Sequence, residues 1–219
     1  MNSADFTALL PFWDKLDSDE KQGIIDNTTL TEYSAGDQIH RGSNDCIGIL
    51  LVRKGRLRTS MLSEDGREIT LFHMEEGDFC VLSASCILNA VTFDVFIDAE
   101  KDASVYQIST PFFQQLTAEN IYVENFMYKV ALNRFSDVMW VMEQVLFMTM
   151  DKRLAMFLLS EQDENGQIRM THDQIVRHLG SAREVISRML KYFVQEGLVS
   201  LSRGAITITS EEALSALAD

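Results

Sequence analysis

Hydrophobic and polar positions divide the chain into three regions, of which the first consists of short strands. After a short helical N-terminus at about residues 6–27, residues 28–110 alternate between apolar runs and glycine-containing turns. The runs predict strands at 47–53, 57–62, 67–74 and 91–97. Glycine supplies the positive φ that tight hairpins need at the intervening turns. Short strands at this spacing predict an antiparallel barrel or jelly roll.

The second region predicts one long helix, because no glycine or proline occurs from about Ala118 to Met148. Apolar residues recur on it at heptad spacing, with Asn125 as the polar member: Ile121, Tyr128, Leu132, Phe135, Met139, Met142 and Leu146. We call these seven residues the heptad seam. A seam of this length is typical of a helix that pairs with a copy of itself, which favours a homodimer. The alternative, packing along its own barrel, accounts for a second stripe at Val138, Val141 and Val145 but leaves the seam uncovered.

The third region predicts a winged helix-turn-helix. A helix is expected at 152–162, and two capping-box starts follow it, Thr171 with Gln174 and Ser181 with Glu184. Gly180 lies in the turn between these two helices and permits a steep crossing. Strand-like runs at 198–202 and 205–209 then predict a small β wing. The whole chain is thus expected to be an α+β protein with three parts: a β-roll at 1–115, the long helix at 116–149 and the winged helix-turn-helix at 150–219.

The second helix of the pair, at 182–195, has one apolar and one polar face. Five residues are expected to pack inward: Val185, Ile186, Met189, Leu190 and Phe193. The polar face carries Arg183, Glu184, Ser187, Arg188 and Lys191. Arginine can donate to guanine and glutamate can accept from cytosine, so this face suits the major groove of double-stranded DNA. Lys191 and Arg177 are expected at phosphates, and Ser181 is counted among the DNA contacts. The alternative is a solvated face with a Glu184–Arg188 pair.

Charge is unevenly distributed along the 219 residues, whose net charge is −14. Taken as one number, this charge argues against an anionic partner such as DNA. Residues 1–150, however, carry 11 basic and 23 acidic side chains, whereas residues 169–203 carry six basic and three acidic ones. The segment that would face DNA is therefore locally positive.

Three cysteines, Cys46, Cys80 and Cys86, provide no disulfide framework and indicate a reducing compartment. Charged residues interrupt any secretory signal at the N-terminus. The longest uncharged and largely apolar stretch, at 79–93, is too short to span a bilayer. We therefore expect a cytoplasmic protein without a membrane partner.

The segment Gly180–Phe193, GSAREVISRMLKYF, resembles the recognition helix of the Crp/Fnr family of transcription regulators, and the order of the three regions resembles that family over essentially the whole chain. The resemblance implies an effector-controlled homodimer with a cyclic-nucleotide-binding-like β-roll, and RNA polymerase as a partner if the protein activates. It places Arg183, Glu184 and Arg188 at base-reading and phosphate-contacting positions. The spacing of Glu184, Ser187 and Arg188 resembles the fumarate/nitrate subgroup, which implies a TTGA-like inverted repeat.

Cyclic-nucleotide members of this family hold the phosphate with an arginine of the β-roll. Here no lysine or arginine lies between Arg67 and Lys101, whereas seven acids do. A buried phosphate among carboxylates without a counter-charge is costly. The sequence therefore argues against cyclic AMP as the ligand.

The cofactor is not identified by the sequence. Iron–sulfur members of the family need a cluster of N-terminal cysteines, but Cys46 is the first here, so no iron–sulfur cluster is expected. Ser83 stands where carbon-monoxide-sensing members have their haem histidine, although His73 or a cysteine could ligate haem in another way. A redox switch at Cys80 and Cys86 is a further alternative, but no cation lies nearby in sequence to lower a thiolate pKa.

The effector pocket is expected where the β-roll meets the long helix, and its lining suits an apolar or uncharged ligand. Its expected residues are Phe79, Val81, Leu82, Ser83, Ser85, Cys86, Phe126 and Met127, which core packing explains equally well. A cupin-like metal enzyme is the remaining alternative. Only His40 and His73 lie in the roll, without paired spacing, so we expect neither a metal site nor an enzyme.

Overall fold

The computed structural model describes residues 3–42, 47–81 and 94–218, which form two compact units. The first unit comprises residues up to 62 together with 71–138, and the second comprises 63–70 together with the chain from 139 onward. Helices and antiparallel sheets occur in both units. The predicted α+β class with an antiparallel β-roll is confirmed.

The β-roll consists of two four-stranded sheets, ordered β1-β8-β3-β6 and β2-β7-β4-β5. The eight strands are β1 Thr28–Tyr33, β2 Gln38–Arg41, β3 Ile49–Lys54, β4 Leu57–Leu62, β5 Glu68–Met74, β6 Phe79–Cys80, β7 Phe96–Ala99 and β8 Ala103–Ile108. Residues 91–93 of the strand predicted at 91–97 lie outside the described residues. Gly55, between β3 and β4, has φ +94°, and a Cβ there would collide with the carbonyl oxygen of Asp102. Only glycine fits this hairpin.

Strand β3 is buried on both of its faces. Leu50 and Val52 belong to the roll core, the hydrophobic cluster between the two sheets. Ile49 and Leu51 belong to a second cluster, the outer core, in which the sheet packs against helices before and after the roll. The near-continuous apolar run of this strand follows from burial on two sides.

The helical N-terminus is three short pieces rather than one helix: α1 Ser3–Ala8, a 3-10 turn at Trp13–Lys15, and α2 Ser18–Asp26. Asp17 starts α2 by accepting the N–H of Glu20, whose carboxylate in turn accepts the N–H of Asp17. Pro11 lies between the first two pieces.

The long helix α4, Ile121–Phe147, is preceded by a separate helix α3, Thr110–Glu119. The predicted start at Ala118 is therefore wrong. Asn120 separates the two helices, because its side-chain oxygen accepts the backbone N–H groups of Tyr122 and Val123. No helix in the described part of the chain, α4 included, is both long and apolar enough to cross a membrane.

The second unit contains a three-helix core, a three-stranded sheet and a C-terminal helix. Its elements are α5 Met150–Glu161, β9 Gln167–Ile168, α6 His172–Leu179, α7 Arg183–Gln195, β10 Val199–Ser202, β11 Ala205–Ile208 and α8 Glu211–Ala218. The sheet order is β10-β11-β9. The sequence pattern predicted all of these except β9 and α8. Leu154, Leu158, Ile175, Ile186 and Phe193 are fully buried in the common core.

Candidate nucleic-acid interface

Helix α6 begins with the predicted capping box. The Thr171 hydroxyl accepts the backbone N–H of Gln174 at 3.3 Å, and the Gln174 side-chain oxygen accepts the Thr171 N–H at 2.8 Å. The helix ends at Gly180, whose φ of +61° lies in the left-handed region. The chain can therefore leave α6 sharply and start the next helix within three residues.

Helix α7 starts one residue later than the sequence predicts. Its N-cap is Ala182, which provides no side-chain hydrogen bond, so the predicted Ser181–Glu184 capping box is wrong. Glu184 consequently occupies the second helical position instead of the third, where a capping box needs it. Glu184 still lies in the first turn, where its negative charge interacts favourably with the helix dipole.

One face of α7 fixes it to the core of the second unit. Ile186, Leu190 and Phe193 are fully buried, and Met189 packs against them. Val185, which the sequence also assigns to the inner face, is half-buried. Because three of the thirteen helical residues are locked in the core, the opposite face has a fixed orientation.

The opposite face presents charged side chains to solvent. Arg183, Glu184, Arg188 and Lys191 are exposed, as is Arg177 of α6, whereas Ser187 and Ser181 are half-buried. Among the described residues, neither Glu184 nor Arg188 forms an ion pair, so the pair between them that would make this face merely solvated is not formed. Arg183 instead pairs with Asp173 of α6 at 3.1 Å.

The predicted wing is a regular antiparallel hairpin in which Ser202 pairs with Ala205 around Arg203 and Gly204. Strand β9 extends it on the other side through Ile168 and Ile206. Asp163 holds the turn before β9 by accepting the backbone N–H groups of Gln167 and Asn165. These two hydrogen bonds, that from Gln167 first, lower the pKa of the Asp163 carboxyl below its ordinary value of 3.8.

The heptad seam of α4 is exposed over its whole length. All seven of its residues are large and apolar, and each is between 41% and 66% exposed. Of the second stripe, Val138 packs against the roll core, but Val145 is 46% exposed. Packing among the described residues therefore does not cover the seam.

The predicted effector pocket is only partly within the described residues. Phe79 and Val81 are buried in the outer core, Phe126 and Met127 pack against this cluster, and the Phe126 ring lies 4.8 Å from the Phe79 ring between centroids. Leu82, Ser83, Ser85 and Cys86 lie outside the described residues, as does Cys46. A cavity of about 440 Å³ adjoins Phe79 and Phe126, and its polar lining includes Asp78, Asn133, Arg134, Ser136 and Asp137.

Arg134 of α4 is the polar residue of this region that sequence reasoning missed. Its guanidinium lies 3.2 Å from Asp78 and 3.0 Å from Asp137, donates to the Phe79 carbonyl, and sits over the Phe72 ring. The roll segment between Arg67 and Lys101 thus receives a cation from a helix remote in sequence. That cation already has two carboxylate partners.

The described residues of the roll that were considered as sensors are either buried or next to a carboxylate. Cys80 is fully buried in the roll core. The His73 Nε2 atom lies 3.6 Å from a carboxylate oxygen of Glu100. His40 is buried, with 1% exposure.

A double-sheet β-roll combined with a winged helix-turn-helix defines a class of protein, the DNA-binding transcription regulators. Residues 152–217 match the family described as the Crp-like helix-turn-helix domain. The chain is 44% identical to a crystal structure from Eubacterium rectale ATCC 33656 that is assigned to the transcriptional regulators of the Crp/Fnr family. That match covers 96% of this chain and 99% of the other, with a TM-score of 0.93. The chain therefore belongs to the Crp/Fnr family.

More distant relatives match along most of their length. The chain is 25% identical over 198 residues to the global nitrogen regulator of Synechococcus elongatus, covering 85% of this chain and 88% of that one. It is 26% identical over 219 residues to flp of Lacticaseibacillus casei, covering 94% of each. The predicted Crp/Fnr membership and the DNA-binding regulator class are thus confirmed.

Proposed function

We propose that the protein is a homodimeric, effector-controlled regulator whose two α7 helices read an inverted repeat with TTGA-like half-sites. The observation that carries the proposal is the state of Glu184 and Arg188. Both side chains are exposed, and neither has an ion-pair partner among the described residues. They stand one helical turn apart on a helix whose other face is locked in the core.

The TGA core matches the chemistry of these two side chains. The Arg188 guanidinium can donate to O6 and N7 of guanine, and the Glu184 carboxylate can accept from the N4 amine of cytosine. Lys191 and Arg177 are exposed positive charges on α7 and α6 and suit phosphates. Ser187 and Ser181 are half-buried and would contact DNA through short hydroxyl groups.

The heptad seam supports pairing with a second copy. Seven exposed apolar side chains at heptad spacing form a continuous apolar stripe along one helix, which a monomer rarely leaves in water. A parallel copy of α4 presents the same stripe, with Asn125 opposite Asn125 to fix the register. Such a dimer carries two α7 helices and suits two half-sites about one helical turn of DNA apart.

The effector is proposed to be a small molecule other than cyclic AMP. Arg134 is the cation that the described structure offers near Phe79, and Asp78 and Asp137 already neutralise it. A phosphate would have to displace a carboxylate from this arginine. Haem- or thiol-based sensing in the same fold stays the alternative, and RNA polymerase is the expected partner if the protein activates transcription in the cytoplasm.

DNA recognition is tested by selection from random duplex DNA, followed by fluorescence anisotropy on the selected site. Glu184→Ala and Arg188→Ala should each weaken binding to the selected site by about 10- to 100-fold and relax the preference at one base pair. Lys191→Ala should weaken binding to all sequences alike. Glu196→Ala removes an exposed acid at the end of the same helix and serves as the control. Selection that returns no TGA-containing palindrome contradicts the proposal.

The ligand is tested on the protein as purified. Native mass spectrometry and an absorbance spectrum identify any bound small molecule and any haem. Calorimetry with cyclic AMP should show no tight binding. A sub-micromolar dissociation constant for cyclic AMP would contradict the proposal that the effector is another molecule.

A further inference from the structure

Arg153 is a buried cation for which the proposed function has so far given no role. It is the fourth residue of α5 and is only 7% exposed. No carboxylate within residues 3–42, 47–81 and 94–218 forms an ion pair with it. Burial lowers the pKa of its guanidinium, because removal from water disfavours the charged form. A buried charge without an acidic partner is poor evidence of a stabilising role.

The partner of Arg153 is the end of another helix. Its Nη2 atom donates to the backbone carbonyl oxygen of Leu179 at 2.6 Å, and its Nε atom is buried without a hydrogen bond. Leu179 is the last residue of α6. The final carbonyls of a helix lack partners within the helix and carry a partial negative charge. The helix end therefore takes the place of a carboxylate.

This helix end determines where α7 begins. Only Gly180, Ser181 and Ala182 separate Leu179 from Arg183, the first residue of α7. The start of α7 has no side-chain cap of its own. Its position therefore depends on the buried face of α7 and on whatever holds the end of α6.

We propose that Arg153 is a positioning residue for DNA recognition. By holding the C-terminal carbonyl of α6, it sets the place at which α7 presents Arg183 and Glu184. It acts through the backbone of the turn and, among the described residues, forms no hydrogen bond or ion pair with the proposed DNA-reading side chains. The inference rests on the proposed function, and it gives a residue outside the helix-turn-helix a role in DNA recognition.

The test compares Arg153→Met with Lys152→Met in the full-length protein. Methionine keeps a long side chain at position 153 but removes the charge and the hydrogen bond to Leu179, and the control removes the same charge one residue earlier. The measured quantity is the ratio of dissociation constants for an unrelated duplex and for the site selected by the wild type. Arg153→Met should lower this ratio by about tenfold, the size of one lost base-pair preference, with the salt dependence unchanged. Lys152→Met should keep the ratio.

Amide hydrogen exchange separates positioning from general stability. Arg153→Met should accelerate exchange in residues 180–187 while α8 and the wing keep their protection. Acceleration across the whole second unit, or an unchanged DNA ratio, overturns the proposal. If the wild type selects no DNA sequence, the proposed function itself is overturned. If the wild type selects a site and Arg153→Met prefers that site as strongly, only the role of Arg153 is overturned.

Discussion

Asp173 and Arg183 form an ion pair across the helix-turn-helix that links the two helices at their N-terminal ends. Their side chains are 60% and 64% exposed, so the pair contributes at most about 1 kcal/mol. A DNA phosphate can therefore replace Asp173 as the partner of the Arg183 guanidinium at a small cost in free energy. Asp173 also leaves a negative charge close to that phosphate.

We expect Asp173→Asn to bind DNA more tightly, by about two- to fivefold at low salt, because it releases Arg183 and removes a repulsive carboxylate. Anisotropy titrations at two salt concentrations measure the effect, which should shrink as salt rises. Glu196→Gln removes an equivalent exposed acid elsewhere on the unit. Equal affinities for the two variants would contradict the prediction.

Asp163 links the stability of the wing to pH. Its pKa is lower in the folded chain than the ordinary 3.8, because the carboxylate accepts backbone N–H groups. A carboxyl whose folded pKa is lowered stabilises the fold above its unfolded pKa, and this contribution disappears as pH falls through the folded pKa. We expect Asp163→Asn to lower Tm at about pH 7, and we expect its difference from the wild type to shrink as the pH falls and the wild-type carboxylate is protonated.

Thermal unfolding by circular dichroism at decreasing pH tests the prediction. Glu164→Gln is the matched control, because Glu164 is an exposed acid in the same turn without a described hydrogen-bond partner. A Tm difference for Asp163→Asn that is constant with pH would show that the carboxylate charge is not responsible.

Helix boundaries show which part of the fold the sequence can predict. The box at Thr171 and Gln174 is local and was predicted correctly. The break between α3 and α4 was missed, because Asn120 is neither glycine nor proline and the apolar pattern continues past it. Its amide donates to Glu20, a residue 100 positions away, and a contact of that separation leaves no periodic signal.

Asn120 is expected to stabilise the start of α4. Asn120→Ala removes the acceptor for two backbone N–H groups and should cost about 1 kcal/mol, lowering Tm by about 2–4 °C. Asn120→Ser retains a capping oxygen and should recover most of the loss. Differential scanning calorimetry measures both variants, and an equal loss for serine would contradict the capping role.

At the scale of the whole molecule, the residues around Phe79 show why the surroundings of the proposed effector pocket could not be predicted. The sequence shows an acidic stretch without a cation, yet Arg134 reaches Asp78 from a helix 56 residues further along. Pairing across that distance depends on how α4 packs against the roll. The division of α7 into a buried and an exposed face, by contrast, was predictable because both faces are encoded within thirteen consecutive residues.

The exposed heptad seam makes oligomeric state the most direct whole-molecule test. Leu132→Glu places a charge at the middle of the seam and should convert a dimer to a monomer in analytical ultracentrifugation, with a loss of at least about tenfold in DNA affinity because two half-sites are no longer read together. Gln144→Glu adds the same charge to α4 outside the seam and should stay dimeric. A wild type that sediments as a monomer contradicts the dimer.

Strand β3 has a consequence for how the first unit comes apart. Its residues alternate between the roll core and the outer core, so unfolding of either cluster exposes one side of a strand that the other cluster shares. Loss of the helices on the outer side, which lie both before and after the roll, would expose Ile49 and Leu51 to water, and opening of the roll would do the same for Leu50 and Val52. We therefore expect the helices and the roll to unfold together, in a single cooperative transition.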